Sequence, residues 1–325
     1  MNLQEIIGTS TTADEREGVR SYVDEPNAQP SDWTNHELLF YVNMEHRHLF
    51  SVVRNYNKDY FGRTHIFPMV ASTYEYWLPM DIVNPRRIEW IRSTSISGSS
   101  PNYVVDEANS YATEIYETSL ADRDALPSLI VSTNVAIGNG YYLFSDKINF
   151  VPTQGIDSTK YCRIFYLPSA PDLHMAKPTA ATSSTITLGT NAATGTVGRI
   201  KTIDNYYKDM RIEIVSDTGA DSAGQVRRIA KYAGSTKIVT LDSDWATTPT
   251  TAAVYSIVSP VNEDFQELLI LGASLRAKGI KVEDETTVIG RMYGEGMKTM
   301  LSSLYDRNHQ KTRSVRTTKR SASWY

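Results

Sequence analysis

The sequence predicts an α+β protein: a helical bundle with a small antiparallel sheet, plus an inserted all-β domain of barrel or sandwich type. Three observations lead there. Apolar residues recur at three- and four-residue steps over 34–61 and again over 264–305. Between 73 and 167 the period falls to two. A stretch rich in Thr, Ala and Ser then leads into a region, about 178–258, that holds only strand and turn patterns. The expected organisation is a flexible N-terminal arm over 1–32, a core formed by 33–177 and 259–306, an inserted β-domain over 178–258, and a basic C-terminal arm over 307–325.

Residues 1–30 are polar, contain two prolines and show little periodicity, so they read as a loose arm. The first helix is marked by Leu38, Val42, Leu49, Val52, Val53, Tyr56 and Tyr60 on one stripe. Thr34 with Glu37 suits a capping box, and Gly62 is a natural stop. In "TYEYWLPMDIVNPRRIEWIRST" the spacing predicts strands over 73–78 and 87–92, separated by a stop at Pro79. Residues 95–112 are rich in Ser and Asn and read as a loop. Strand patterns return at "SLIVSTN", "GYYLFSDKINFVP" and "KYCRIFYLP". In the last, Cys162, Ile164 and Tyr166 share one face, while Arg163, Phe165 and Leu167 share the other.

Five further strand runs, from "TITLGT" to "AVYSIVS", fill the inserted region with turn residues between them. Helical periodicity then resumes through Phe265, Leu268, Leu269, Gly272 and Leu275. It continues through Val288, Ile289, Met292, Tyr293, Met297, Met300, Leu301 and Leu304. Asn262 and Asp284 suit the two N-caps and Gly279 the intervening C-cap. Gly290 and Gly294 lie on one face of the last helix, where they permit close approach, either within the chain or between subunits.

Charge is unevenly placed. The chain has 33 basic and 37 acidic residues, a net of −4. Residues 307–325 carry six Lys or Arg and no acid, so 1–306 hold 27 against 37, a balance of −10. An acidic body repels nucleic acid at long range, whereas the terminus does not. The lone cysteine, Cys162, excludes an internal disulfide. No signal peptide is expected, and no apolar run approaches the ~20 residues of a membrane span. Twenty Tyr and five Trp are enough to furnish interfaces as well as cores.

The order of elements resembles the head-to-tail adaptor (connector) proteins of tailed bacteriophages. The resemblance rests on "STYEYWLPMDIVNPRRIEWI", on "GYYLFSDKINFVP" followed by "KYCRIFYLPSAPDL", and on "NEDFQELLILGASLRA". It spans roughly 33–173 and 260–305. "PMDIVNPRR" is longer than the usual turn, and an insertion is not general to that family. The resemblance implies a structural virion protein: a ring of identical subunits, usually twelve, between the capsid portal and the tail tube or nozzle protein. DNA would pass through without sequence-specific binding. The location implied is the neck of the virion, after assembly in the host cytoplasm. The inserted domain would face outward and hold a fibre or neck protein, or serve as a solvated decoration.

The basic terminus has competing readings: a solvated end, a DNA contact, or a protein contact. Ser, Thr and Val alternate there with cations, which suits strand addition, and terminal aromatics suit apolar pockets. Arg313, Arg316, Lys319, Arg320, Trp324 and Tyr325 are the candidate portal-binding residues, and Gly290 and Gly294 the candidate subunit-packing residues. No catalytic, cofactor or metal site is expected. His46 and His48 lie two apart on a helix and cannot share a metal. Cys162 has no sequence neighbour that would activate it. "GRMYGEG" lies mid-helix without the Gly-Lys-Ser/Thr ending of a phosphate loop. The alternatives are a fibre-attachment or carbohydrate-recognition subunit and, third, an enzyme with an accessory β-domain.

Overall fold

The period-two runs pair far more widely than the helical stripes do. The computed structural model describes residues 2–8, 18–23, 34–57, 60–71, 73–92, 94, 96–98, 103–106, 112–118, 140–151, 160–189, 200–261, 263–279 and 287–313, with side chains described up to 305 in the last helix. Among these are sixteen strands and five α-helices. Two sheets have seven strands each, and a third is a two-stranded ribbon.

The expected helical bundle with a small sheet and an inserted β-domain is therefore corrected to a mainly β architecture. The error has a physical source. Strand β2 (Glu75–Trp77) falls within the strand expected over 73–78, whereas β10 (His174–Ala176) and β11 (Ala180–Ala181) are too short to show a period, yet they complete the second sheet. The expected strand "SLIVSTN" lies outside the described residues.

The first sheet has the order β1-β9-β3-β6-β7-β8-β2, from β1 (Arg63–Pro68), β9 (Lys160–Pro168), β3 (Ile82–Arg92), β6 (Ala112–Glu117), β7 (Gly140–Phe144), β8 (Lys147–Val151) and β2. Only β6 and β7 pair in parallel. Alternation sends Ile88, Trp90, Ile115, Phe150, Cys162 and Ile164 into one buried cluster. On the opposite face Glu89 and Arg163 are also buried, joined at 2.6 Å. The sheet curls until its two end strands touch: the Phe67 and Tyr76 rings lie 5.0 Å apart, and the Val70 N–H donates to the Tyr76 hydroxyl at 2.8 Å.

The second sheet is antiparallel throughout, with the order β10-β16-β13-β14-β15-β12-β11. Its members are β12 (Thr185–Thr187), β13 (Arg211–Ser216), β14 (Val226–Ala233), β15 (Ile238–Leu241), β16 (Val254–Val258) and the short β10 and β11. Its first and last strands, 174–176 and 180–181, are near neighbours in sequence, so the sheet has to close on itself. Across the interior the Gly189 N–H donates to the Tyr255 hydroxyl at 3.1 Å. A Cβ at Gly189 would stand 1.9 Å from the Lys177 carbonyl oxygen, so no other residue fits there without a shift of backbone.

The helices pack on one another and, through the first of them, against the second sheet. They are α1 (Leu3–Ile7), α2 (Gly18–Tyr22), α3 (Asn35–Tyr56), α4 (Glu267–Ala277) and α5 (Val288–Arg313). Leu3, Val42, Leu269, Tyr293, Ile212 and Tyr255 belong to one buried cluster, which runs across the boundary expected at 177/178. The expected loose arm includes two short helices. Residue Asn2 caps α1 through a capping box with Glu5, and Leu3, Ile6 and Ile7 are buried. Five residues are too few for a helical period to be read, which is why the arm looked structureless. The expected box of Thr34 and Glu37 opens α3, which ends at Tyr56, short of Gly62. Asn262 and Asp284 lie outside the described residues, and Gln266 takes the N-cap position of α4.

A buried carboxylate ties three helices. Glu45 of α3 is fully enclosed, accepting from Arg276 Nε of α4 at 2.8 Å and from the Tyr293 hydroxyl of α5 at 2.6 Å. Gly272 of α4 makes room for it: a Cβ there would stand 2.4 Å from Glu45 Cδ. Nearby, Asn43 of α3 receives the Leu173 N–H at 2.8 Å, and Arg47 pairs with Asp172 at 2.6 Å. The segment joining the two sheets is thereby held on α3.

Gly272→Ala should lower unfolding stability by about 2 kcal/mol through overpacking. In a Glu45→Ala background the same change should cost under about 1 kcal/mol, since the obstructing carboxylate is gone. Urea titrations of the four chains test this. Acid sensitivity follows from two buried imidazoles. Burial pushes His46 and His174 down from 6.5 to about 4, Asp172 opposing the shift at His46. The unfolded chain therefore takes up these protons first, so stability is full above pH 6.5 and falls until about pH 4. Each histidine contributes on the order of 3 kcal/mol to that loss. The urea midpoint of His46→Leu should fall less between pH 7 and pH 4.5 than that of the parent.

Candidate functional site

Where the two sheets meet, a cleft of about 540 Å³ opens. The first sheet supplies residues 63–66 of β1 and 77–81, which follow β2 into a turn. Pro79 ends the strand, and its carbonyl accepts from the Ile82 N–H at 3.0 Å. The second sheet supplies 202–205, Lys208, Ala230 and Lys231, and the ribbon formed by β4 (Ile96–Ser97) and β5 (Val104–Val105) adds Tyr103 and Val104.

The floor is built around one guanidinium. Arg63 donates to Asp81 Oδ2 at 3.0 Å within its own sheet. Across the cleft it donates to the backbone carbonyls of Asn205 at 3.3 Å, Tyr206 at 3.4 Å and Lys208 at 2.5 Å. The Tyr166 hydroxyl donates to Asp81 at 3.2 Å, and burial together with that carboxylate holds its pKa above the ordinary value. Burial pushes the His65 imidazole down; Asp81 opposes the shift and the Lys208 ammonium adds to it. Both oxygens of Asp81 are engaged, so it serves as a fixed counter-charge rather than as an acid or base. Among the described residues no three of His, Cys, Asp and Glu come together as metal ligands would.

The mouth is apolar and aromatic. Trp77 is 70% exposed and Met80 84% exposed. Register places Phe144, Lys147 and Trp77 side by side on adjacent strands, hence on one face. Lys147 Nζ stands 4.4 Å over the Trp77 ring and pairs with Glu75. Phe144 is 61% exposed, and Tyr116, on the same face of β6, is 70% exposed. On the second sheet's wall, Lys208 and Lys231 have no ion-pair partner among the described residues.

The sequence-derived candidates fall elsewhere. Gly290 is buried within the chain and Gly294 is half-buried. A close helix approach occurs at Gly296, where a Cβ would stand 2.6 Å from Leu268 Cδ2. Arg313 closes α5, with its side chain outside the described residues. Arg316, Lys319, Arg320, Trp324 and Tyr325 lie outside them entirely. Cys162 is enclosed in the first core, and burial, aided by the Glu89 charge, pushes its thiol well up. Sequence reasoning passed over Arg63, Asp81, Trp77 and Met80. The alternation in "TYEYWLPM" puts Tyr76 and Trp77 on opposite faces, but two adjacent aromatics do not say which one faces water.

Comparison with protein-family models finds no match, and comparison with curated proteins finds none either. Among the described residues no helix is long and apolar enough to cross a membrane.

Arg63→Ala should cost about 3 kcal/mol, because it strands the Asp81 carboxylate in a buried site. Amide exchange around 205–208 should rise with it. Unchanged exchange there would show that the guanidinium does not join the sheets.

Proposed function

We propose that this chain is a structural adaptor of a tailed-phage virion, assembling as a ring between the capsid portal and the tail tube or nozzle protein. The observation that carries this reading is the exposed surface of Trp77, Phe144 and Tyr116 on one face of the first sheet, with exposed Met80 in the turn after β2. Large apolar side chains collected on one face mark a surface that another protein covers. Closed rings need heterologous contacts between unlike faces, and the body offers such a face beside a cleft. The acidic balance of 1–306 suits a passage that does not hold DNA by its phosphates. The basic residues of 307–325 supply the portal contact in this reading.

Negative-stain imaging and native mass measurement, with and without the portal of the same virion, test the proposal. Rings seated on portal are expected. A chain that stays monomeric beside portal at micromolar concentration sinks the reading. Removal of 307–325 should weaken portal binding at least tenfold, and unchanged affinity would take the C-terminal arm out of the contact.

A second reading, carbohydrate recognition, draws on Trp77, whose ring is exposed and flanked by the polar groups of Glu75 and Lys147. Glycan binding by the full chain that Trp77→Ala abolishes would favour it over the adaptor.

A further inference from the structure

We propose that the cleft seats an added β-strand: an extended acidic segment of a partner polypeptide that pairs with the free edges of β1 and β2. The inference stands apart from ring assembly, since it concerns one cleft of one chain.

Strands β1 and β2 are the two ends of the first sheet's order, so each has a neighbour on one side only. Their hydrogen-bonding parity can be read from the flanking bonds. The Met69 N–H donates to the Lys160 carbonyl at 2.9 Å, in the register that pairs Phe67 with Cys162 and His65 with Ile164. In an antiparallel ladder His65 and Phe67 therefore turn their backbone groups toward β9, and Thr64 and Ile66 turn theirs away. The same reasoning holds for β2. Leu78 donates to Asp146 at 2.9 Å and Phe150 donates to Tyr74 at 2.8 Å, which directs Tyr76 toward β8 and leaves Glu75 and Trp77 facing outward. Among the described residues the backbone groups of these four outward residues have no hydrogen-bond partner.

Residues 63–66 of β1 and Trp77 of β2 border the same cleft. The two strands touch at the Phe67–Tyr76 end, and Arg63 and Met80 line the cleft beyond it. The next outward position on β1, Pro68, lacks an N–H, so the template ends there. At ~3.3 Å per residue, a strand of about four residues spans the template. An exposed edge of this kind accepts strands by main-chain pairing, with side chains setting selectivity.

Charge selects the occupant. Asp81 is neutralised by Arg63, and Asp204, which accepts from the Gly234 N–H at 2.8 Å, keeps its charge, so the two remaining lysines leave the lining one cation in excess. Lys208 and Lys231 stand on the facing wall without ion-pair partners among the described residues. An added strand would set apolar side chains against Phe67 and Tyr76 and carboxylates against the two lysines. The basic segment 307–325 has the wrong sign for this seat.

The test uses the full chain, calorimetry and amide exchange. The probe is a capped eight-residue peptide alternating Thr or Val with Glu. Saturable binding is expected, with slowed exchange at Thr64, Ile66, Glu75 and Trp77. N-methylation of alternate backbone nitrogens should weaken the peptide at least tenfold. Lys208→Glu, at a half-buried position, with Lys231→Glu, at an exposed one, should do the same and transfer preference to a Lys-containing version. No binding at millimolar peptide overturns the proposal. So does equal or better binding of the Lys version, of a synthetic 307–325 peptide or of a thymidine oligonucleotide to the parent chain. Binding without protection of those four amides overturns it as well.

Discussion

The placement of the two sheets depends on how one buried cation is satisfied. A guanidinium has five donors in a fixed plane, and enclosing it is tolerable only when those donors find acceptors. Arg63 finds a carboxylate in the turn before β3 and three carbonyls in the turn before β13. Main-chain acceptors cannot swing away as side chains can, so they fix direction as well as distance. The orientation of β1, and with it the width of the cleft, follows from that geometry.

The helical layer does related work on the other flank. Helix α3 is long enough to reach both the Glu45 contacts with α4 and α5 and the Asn43 contacts with the segment at 172–173. It also reaches the first sheet's outlet, where Arg54 donates to the Pro168 carbonyl at 3.4 Å and the Phe50 ring stacks on Phe61 at 3.8 Å. Helix α4 is apolar on nearly every side, with Leu268 through Leu275 all buried. Such a helix needs neighbours all round, and α2, α3 and α5 provide them. The arrangement is a splint: a rigid rod bonded to both sides of a joint.

Much of this was legible locally and little of it globally. The capping box at Thr34 and the shared face of Cys162, Ile164 and Tyr166 follow from spacing alone, because both are short-range patterns. The size of the second sheet was not legible, since β10 and β11 are three and two residues long and carry no period. Strand β3 runs from Ile82 through Pro85 by way of two bulges, which the sequence presented as a turn. The cleft was hidden for a different reason. Arg63 and Asp81 are eighteen positions apart, and Arg63 and Lys208 far more, so only tertiary packing brings them together. Charged residues in a sequence give no sign of which pairs will be enclosed.

The N-terminal helix carries a consequence for how the chain matures. Its Leu3 N–H donates to the Ser256 hydroxyl at 2.9 Å, and the Asn2 amide reaches Glu213 at 3.2 Å. Residues Asn2 and Leu3 thus wait for partners made more than two hundred positions later. Both sheets are contiguous in sequence and can form during synthesis. Closure of the shared interior comes later, because α1 is its cover and β16 its frame. Until β16 has been made, a patch of Leu3, Ile6 and Ile7 is left to whatever chaperone or neighbour meets it first.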